Sequence, residues 1–352
     1  MKDIKDYSLL QHNTFGMEAR CSRFLEYEST EEACQVAAIL RTAGQPFIII
    51  GGGSNLLLTR DYDGIVVHSG MKGITIHHSP LTTHHSPSVP RTSHLASRSL
   101  KTASGEVFDD VIAYSLEHGL YGAENLSLIP GDVGASAVQN IGAYGVEVCQ
   151  IIDSVEAVEI ATGRLLVISS QDCQYGYRSS RFKHEWKNKY LITHVTYRMS
   201  TTFEPHLDYG NIRAELERQG IQQPTAQQLR QVIIDIRREK LPDPKIEGNA
   251  GSFFMNPVVS RAKYEELAAR YPQMPHYYID ADHEKIPAGW MIDQCRWKGR
   301  SLGRAGVHAK QALVLVNRGG ATGEEVVALC QRIQQDVKDK FDIEIYPEVN
   351  IV

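Results

Sequence analysis

A short apolar strand that runs straight into three consecutive glycines constrains this chain more than any other feature. Phe47-Ile48-Ile49-Ile50 is brief and β-branched, the pattern of a strand covered on both faces. It ends in Gly51-Gly52-Gly53-Ser54-Asn55, where the backbone can turn sharply and approach a ligand, so that successive N–H groups converge on an anion. A tight structural turn accounts for the same residues equally well. A second segment, residues 126–145, reads LSLIPGDVGASAVQNIGAYG, with few large side chains and many backbone donors. It suits a flat, phosphate-bearing cofactor lying against main chain, or else a close-packed Gly/Ala loop. Neither segment has the G-x-G-x-x-G spacing or the Gly-Lys-Ser/Thr ending of the common nucleotide loops. Two such segments together favour a dinucleotide held in a different fold.

Around these loops the chain alternates helix and strand. Ser29 and Glu32 cap a helix whose inner face is Ala33, Val36, Ala37 and Leu40. Phe108, Val111, Ile112 and Leu116 predict a helix ending at Gly119. Residues 155–168 predict a hairpin about Thr162-Gly163, and Tyr190 to Met199 a strand. Thr225 and Gln228 open a helix that must stop at Leu241-Pro242-Asp243-Pro244, because proline cannot continue it. Thr322 and Glu325 open a last helix, and a strand is expected over Ile343 to Val352. Residues 77–100 stand apart: five His, six Ser, three Thr, three Pro and no acid read as a solvated insert without a defined metal site.

Composition narrows the partners. The 352 residues carry 37 basic and 42 acidic side chains, a net charge of −5, so no global positive field draws in nucleic acid. Cys21, Cys34, Cys149, Cys173, Cys295 and Cys330 show no metal-binding spacing and read as reduced thiols of a cytoplasmic protein. No secretory leader is expected at the N-terminus, and no apolar run is long enough to span a membrane.

Several residues could carry chemistry. Ser252, in Gly248-Asn249-Ala250-Gly251-Ser252-Phe253-Phe254-Met255-Asn256-Pro257, is not in a hydrolase elbow, since Phe254 stands where glycine is needed. It is either a turn hydrogen-bonder or a proton donor to a strongly basic carbon, with Lys240 near in sequence. Arg178 lies in YGYR at 175–178, Tyr209 in a Leu207-Asp208-Tyr209-Gly210 turn, and Glu348 in Tyr346-Pro347-Glu348. Arg237, Arg238, Lys240 and Lys245, then Arg296, Lys298, Arg300, Arg304 and Lys310, are solvated faces or an anion site.

Taken together, GGGSN at 51–55, the 126–145 segment, YGYR, KLPDPK at 240–245, GNAGSFFMNP at 248–257 and PEV at 347–349 resemble the UDP-N-acetylenolpyruvoylglucosamine reductase (MurB) family, in its longer subtype. The resemblance covers nearly all of the chain outside 77–100. It implies an α+β protein: a two-subdomain FAD-binding fold of the PCMH/vanillyl-alcohol-oxidase kind over 1–219, with subdomains of about 1–75 and 101–219. A C-terminal α+β substrate-binding domain over 220–342 follows, and 343–352 forms a strand bringing Glu348 to the active site. It implies non-covalent FAD, NADPH as reductant, and a two-half reaction. NADPH reduces the flavin; the enolpyruvyl ether of UDP-N-acetylglucosamine then takes a hydride from flavin N5 and a proton on the adjacent carbon, giving UDP-N-acetylmuramate for peptidoglycan synthesis.

By the same resemblance Ser252 donates that proton, and Arg178 and Glu348 face the substrate carboxylate, where the developing negative charge is best met by a guanidinium and a protonated carboxyl. Tyr209 closes over the substrate; Lys240, Asn256, Lys298, Gln311 and Tyr144 contact it. Gly51, Gly52, Gly53, Ser54 and Asn55, the loop residues Gly131, Gly134, Ala135, Ser136, Asn140, Ile141 and Gly142, and Arg237 contact FAD. The chain departs from the family's frequent residues at Met255 and Ala137. A monomer is expected, with no metal, nucleic-acid or membrane partner. Two alternatives stay open: a covalent-flavin oxidase or dehydrogenase of the same fold, and a non-redox nucleotide-sugar binder.

Overall fold

The computed structural model describes residues 1–77 and 97–352. Most of the His/Ser-rich stretch therefore lies outside the described residues. Its ends do not: Ile74–His77 and Ser97–Ala103 are antiparallel strands, with Ile76 opposite Leu100. Positions 77 and 97–100, expected in the insert, belong to the sheet because Leu100 is fully buried in its core.

The chain forms two compact units. The first comprises Met1–Tyr7, Ser22–Gly52 and Asp63–Glu239; the second comprises Ser8–Cys21, Gly53–Tyr62 and Lys240–Val352. The GGGSN motif is thus divided, its first two glycines in one unit and the rest in the other.

In the first unit, one sheet has the spatial order Lys2–Ser8, Arg20–Tyr27, Tyr62–Ser69, Phe47–Ile50. The last two strands are parallel, with Ile50 opposite His68. Helix Thr30–Thr42, capped by Ser29 on the Glu32 amide, lays Ala33, Val36, Ala37 and Leu40 on the core. A second sheet has the order Leu165–Ser169, Ile152–Glu159, Tyr190–Ser200, Ser97–Ala103, Ile74–His77. It packs on helices Phe108–Glu117 and Val133–Gln139, around Phe108, Val155, Val195 and Tyr197. Each such side chain, fully buried, contributes about 1.5–3 kcal/mol of transfer free energy. The second glycine-rich segment is thus helical in its middle: Ala and Val over 133–139 favour a short helix, and Asn140 ends it in the left-handed region at φ 46°.

The second unit has a four-stranded sheet in the order Asn249–Ser252, Val314–Asn317, Ala305–Val307, Ser301–Leu302. Helix Gly323–Phe341 covers it and starts with the full Thr322/Glu325 capping box. The C-terminal strand is shorter than expected. Only Asn350–Ile351 is regular, parallel to Leu56–Leu57. Pro347 has no N–H to donate, and it meets Phe254 only in an isolated bridge.

Candidate active site

The glycine turn of the first unit is built by exclusion. A methyl on Gly51 would lie 2.8 Å from Ala135 Cβ, and one on Gly52 would lie 3.1 Å from Asp132 Oδ1. Main chain from 51–52 therefore lies against the side chains of Asp132 and Ala135 and, at Gly52, near the Gly131 backbone. Gly131 accepts the Phe108 amide at 3.0 Å. The amides of Val133 and Gly134 donate to Glu106 and Ser104 at 2.9 and 2.8 Å. Ser136 is buried, its hydroxyl on the Val133 carbonyl at 2.7 Å and 3.3 Å from the Tyr197 hydroxyl. Asn140 is fully buried and ties three segments: Nδ2 to Gly176 O at 2.7 Å and Glu147 Oε2 at 3.1 Å, Oδ1 to the Cys149 amide at 3.2 Å. Ile141 accepts the Val148 amide at 2.8 Å.

Arg178 stands in the left-handed region at φ 52°, with Asn140 (46°), Tyr144 (48°), Gln174 (45°) and Leu128 (59°) nearby in the same unit. Five of the nine non-glycine residues with positive φ among the described residues thus fall in two short segments, the clustering expected of a site that holds backbone strain. The Arg178 guanidinium donates to the carbonyls of Gly142 and, at 3.4 Å, Asn140, and lies 3.7 Å from Glu147. Gly142 is the condition for this approach: its Cβ would sit 2.6 Å from Arg178 Nη1.

Beside this corner, Tyr144 and Tyr209 meet edge to face at 6.5 Å, and Tyr209 is exposed. Asn125 holds their segments together, donating to the Tyr144 carbonyl at 2.9 Å and that of His206 at 3.0 Å. Helix Ala226–Lys240 brings Arg237 against Tyr144. Burial lowers the Arg237 pKa, opposed by Tyr144 and Asp109, and among the described residues its buried Nε has no hydrogen-bond partner. Burial likewise raises the Tyr144 phenol, with Arg237 opposing.

In the second unit Gly53, at φ 67°, lies so close to the His12 carbonyl that a Cβ would stand 2.0 Å from its oxygen. Asn55 Nδ2 reaches the Glu348 carbonyl at 3.5 Å, and the Asn55 carbonyl accepts the Asn350 amide at 3.2 Å. Ser54 is half-buried. Ser252 is exposed at the end of its strand. The register against Val314–Asn317 shifts between Asn249 and Ser252, and Gly251 takes φ 69° there. Ser252 resumes the pairing opposite Val314 just after this bulge, with its side chain exposed. The next residue, Phe253, accepts the Glu348 amide at 2.8 Å. Ser252, Glu348 and Asn55 are thereby brought together, while Arg178 belongs to the first unit.

The other expected contacts are spread over the second unit. Asn256 Oδ1 accepts the Ala288 amide at 2.9 Å, and Gln311 Oε1 that of Leu313 at 3.3 Å. Lys298 pairs with Asp293 at 3.7 Å, and Lys240 is half-buried at the head of the KLPDPK segment. Sequence reasoning passed over Asn249, Asn125 and Glu147. Asn249 is buried, bonding the Gly251 amide at 2.9 Å and the Glu247 carbonyl at 2.8 Å. Its place two residues before the bulge glycine was the available signal; Asn125 and Glu147 carried none.

Comparison with known proteins follows the same division. Residues 22–169 match the family model described as an FAD binding domain, and residues 243–352 that of the UDP-N-acetylenolpyruvoylglucosamine reductase C-terminal domain. The UDP-N-acetylenolpyruvoylglucosamine reductase of Bacteroides fragilis is 50% identical over 347 residues, 98% of this chain and 99% of that protein. The chain belongs to the UDP-N-acetylenolpyruvoylglucosamine reductase family. The Pseudomonas aeruginosa member is 45% identical over 98% of this chain and 97% of its own. The crystal structure of the Thermus caldophilus enzyme shares the fold, with a TM-score of 0.64 at 20% identity over 99% of this chain and 98% of that one. A member of this reductase family is an oxidoreductase, and most of the segment matching the FAD-binding model, residues 22–52 and 63–169, lies in the first unit. The residues fit that cofactor: glycines leave no room for side chains where two loops meet, and Arg237 offers a buried cationic donor atom without a partner.

Proposed function

We propose that the protein reduces UDP-N-acetylglucosamine enolpyruvate to UDP-N-acetylmuramate, with non-covalent FAD and with NADPH as reductant, in peptidoglycan precursor synthesis and so in cell-wall growth and division. The proposed setting is a cytoplasmic monomer; no helix among the described residues is long and apolar enough to cross a membrane. When bound, FAD takes the hydride from NADPH and supplies it to the terminal carbon of the enolpyruvyl group. Gly51 to Asn55, the 131–142 segment and Arg237 are the residues proposed to hold it. The proposed division of the chain is 1–219 for the cofactor, 220–342 for the substrate, and 343–352 to carry Glu348.

Ser252 is assigned the proton that completes the reduction. An alcohol is a weak acid, so it serves only a strongly basic carbon, which an enolate-like intermediate provides. The observation that carries this assignment is an exposed Ser252 beside the glycine bulge, with the Glu348 backbone bonded to the next residue, Phe253. Arg178 is assigned the substrate carboxylate, where charge develops; carbonyls of 140 and 142 already orient its guanidinium, so little reorganisation remains at the moment of reaction. Glu348, protonated, donates a hydrogen bond to the same charge. Tyr209 closes over the substrate beside Tyr144, and Lys240, Asn256, Lys298 and Gln311 contact the nucleotide sugar. An anaerobic test separates the halves. Flavin reduced by light and mixed with the enolpyruvyl substrate reoxidises in wild type; in Ser252→Ala it reoxidises far more slowly, while NADPH still reduces the flavin at the wild-type rate. Equal loss in both halves would remove Ser252 from the acid's role.

A further inference from the structure

One buried ionic cluster lies against the glycine turn. Strand pairing sets His68 opposite Ile50, the residue before Gly51. His68 Nδ1 lies 2.8 Å from Glu26 Oε2, and its Nε2 lies 3.4 Å from Asp132 Oδ2. All three side chains are at most 15% exposed. Asp132 is the carboxylate whose oxygens would meet a methyl on Gly51 at 3.4 Å and on Gly52 at 3.1 Å. It is also the residue before helix Val133–Gln139, yet its side chain does not cap that helix. A bare carboxylate here would oppose any anion held at the turn.

We propose that His68 is a positioning residue of the cofactor cradle: hydrogen-bonded to Glu26 through Nδ1 and ion-paired with Asp132 through Nε2, its imidazolium holds and neutralises Asp132 so that the 51–52 and 131–132 backbones accept a pyrophosphate. The proposal deepens the assignment of these loops to FAD and rests on it. The charged groups facing His68 are Glu26 and Asp132, with Lys2 behind Glu26. The Phe24 ring lies roughly parallel to the imidazole, with ring centroids 6.3 Å apart. With His68 charged, the four groups cancel; with it neutral, one negative charge remains beside the turn. Burial alone would lower the His68 pKa, but the bonds to Asp132 and Glu26 outweigh it and the net shift is upward. The charged imidazolium is therefore favoured beyond its ordinary range and is lost as pH rises through the raised pKa.

The test is FAD affinity of the full-length apoprotein, read by quenching of flavin fluorescence, from about pH 6 to about pH 9. Wild type should lose about tenfold in affinity across that range, since one buried charge is removed near a dianion. His68→Gln should bind about tenfold more weakly at the acid end and show no pH dependence. Asp132→Asn in the His68→Gln background should recover the affinity and keep the flat profile, a rescue that a folding role for His68 does not produce. Asp132→Asn alone, which keeps the titrating His68, should bind at least as tightly as wild type at the acid end and still weaken as pH rises. If wild type is flat and His68→Gln matches it while Gly51→Val abolishes binding, this proposal fails and the loop assignment stands. If Gly51→Val binds FAD like wild type, the loop assignment fails, and the proposal with it.

Discussion

The Arg178 corner and the Ser252 bulge are made by opposite means. Around Arg178 the chain is crowded: left-handed backbone at Asn140, Tyr144 and Arg178, a guanidinium against two carbonyls, and a glycine where no methyl fits. At Ser252 the chain is open: the side chain is exposed, and the Asn249 side chain holds the Gly251 amide of the bulge beside it. The contrast teaches a division of labour. On the proposed roles, a guanidinium that is to meet developing charge has a rigid socket, whereas the alcohol proposed to give up a proton stands exposed beside its bulge.

The comparison breaks most sharply at the serine. Ser252→Ala should slow substrate-driven flavin reoxidation about a thousandfold, within the range for a lost general acid, with the melting temperature unmoved. Anaerobic stopped-flow and calorimetry check the pair. Arg178→Lys should cost about a hundredfold in the same half-reaction, because an ammonium cannot reproduce the fork that two carbonyls orient. Gly142→Ala then sharpens the contrast. Its methyl would meet Arg178 Nη1 at 2.6 Å and the Val146 carbonyl at 2.8 Å. Overpacking there should cost about 1–3 kcal/mol of stability and slow reoxidation about tenfold, so activity and stability fall together, unlike at Ser252.

A smaller effect concerns pH. The His68 pKa is raised above its ordinary 6.5 in the folded protein. Its contribution to stability is therefore complete below that ordinary value and is lost as pH rises through the raised one. Thermal unfolding of the apoprotein should show this decline in wild type and not in His68→Gln. Thiol labelling offers the mildest test. Burial pushes the Cys330 thiol up to about 12 and those of Cys173 and Cys295 to about 11. Iodoacetamide in mild alkali should spare all three until the chain unfolds.

Much of the fold was legible. The helices at Ser29, Phe108, Thr225 and Thr322 and the hairpin about Thr162-Gly163 came from caps and periodicity, which a few consecutive residues specify. The ends of the His/Ser-rich stretch misled because composition speaks for an average, while Leu100 alone draws its strand into the core. The C-terminal strand was overextended because apolar alternation over 343–352 hides the missing donor at Pro347.

From the sequence alone came the family, the two glycine-rich segments and the residues with the right chemistry, since each depends on residue type and short-range spacing. Tertiary structure decided the rest. Arg178 meets carbonyls 36 and 38 residues away, and Asn55 reaches the Glu348 carbonyl across 293. It also decided that His68, unremarkable in its strand, faces Asp132 beside the glycine turn. Such encounters are set by how sheets pair and pack, and local propensity holds no record of them.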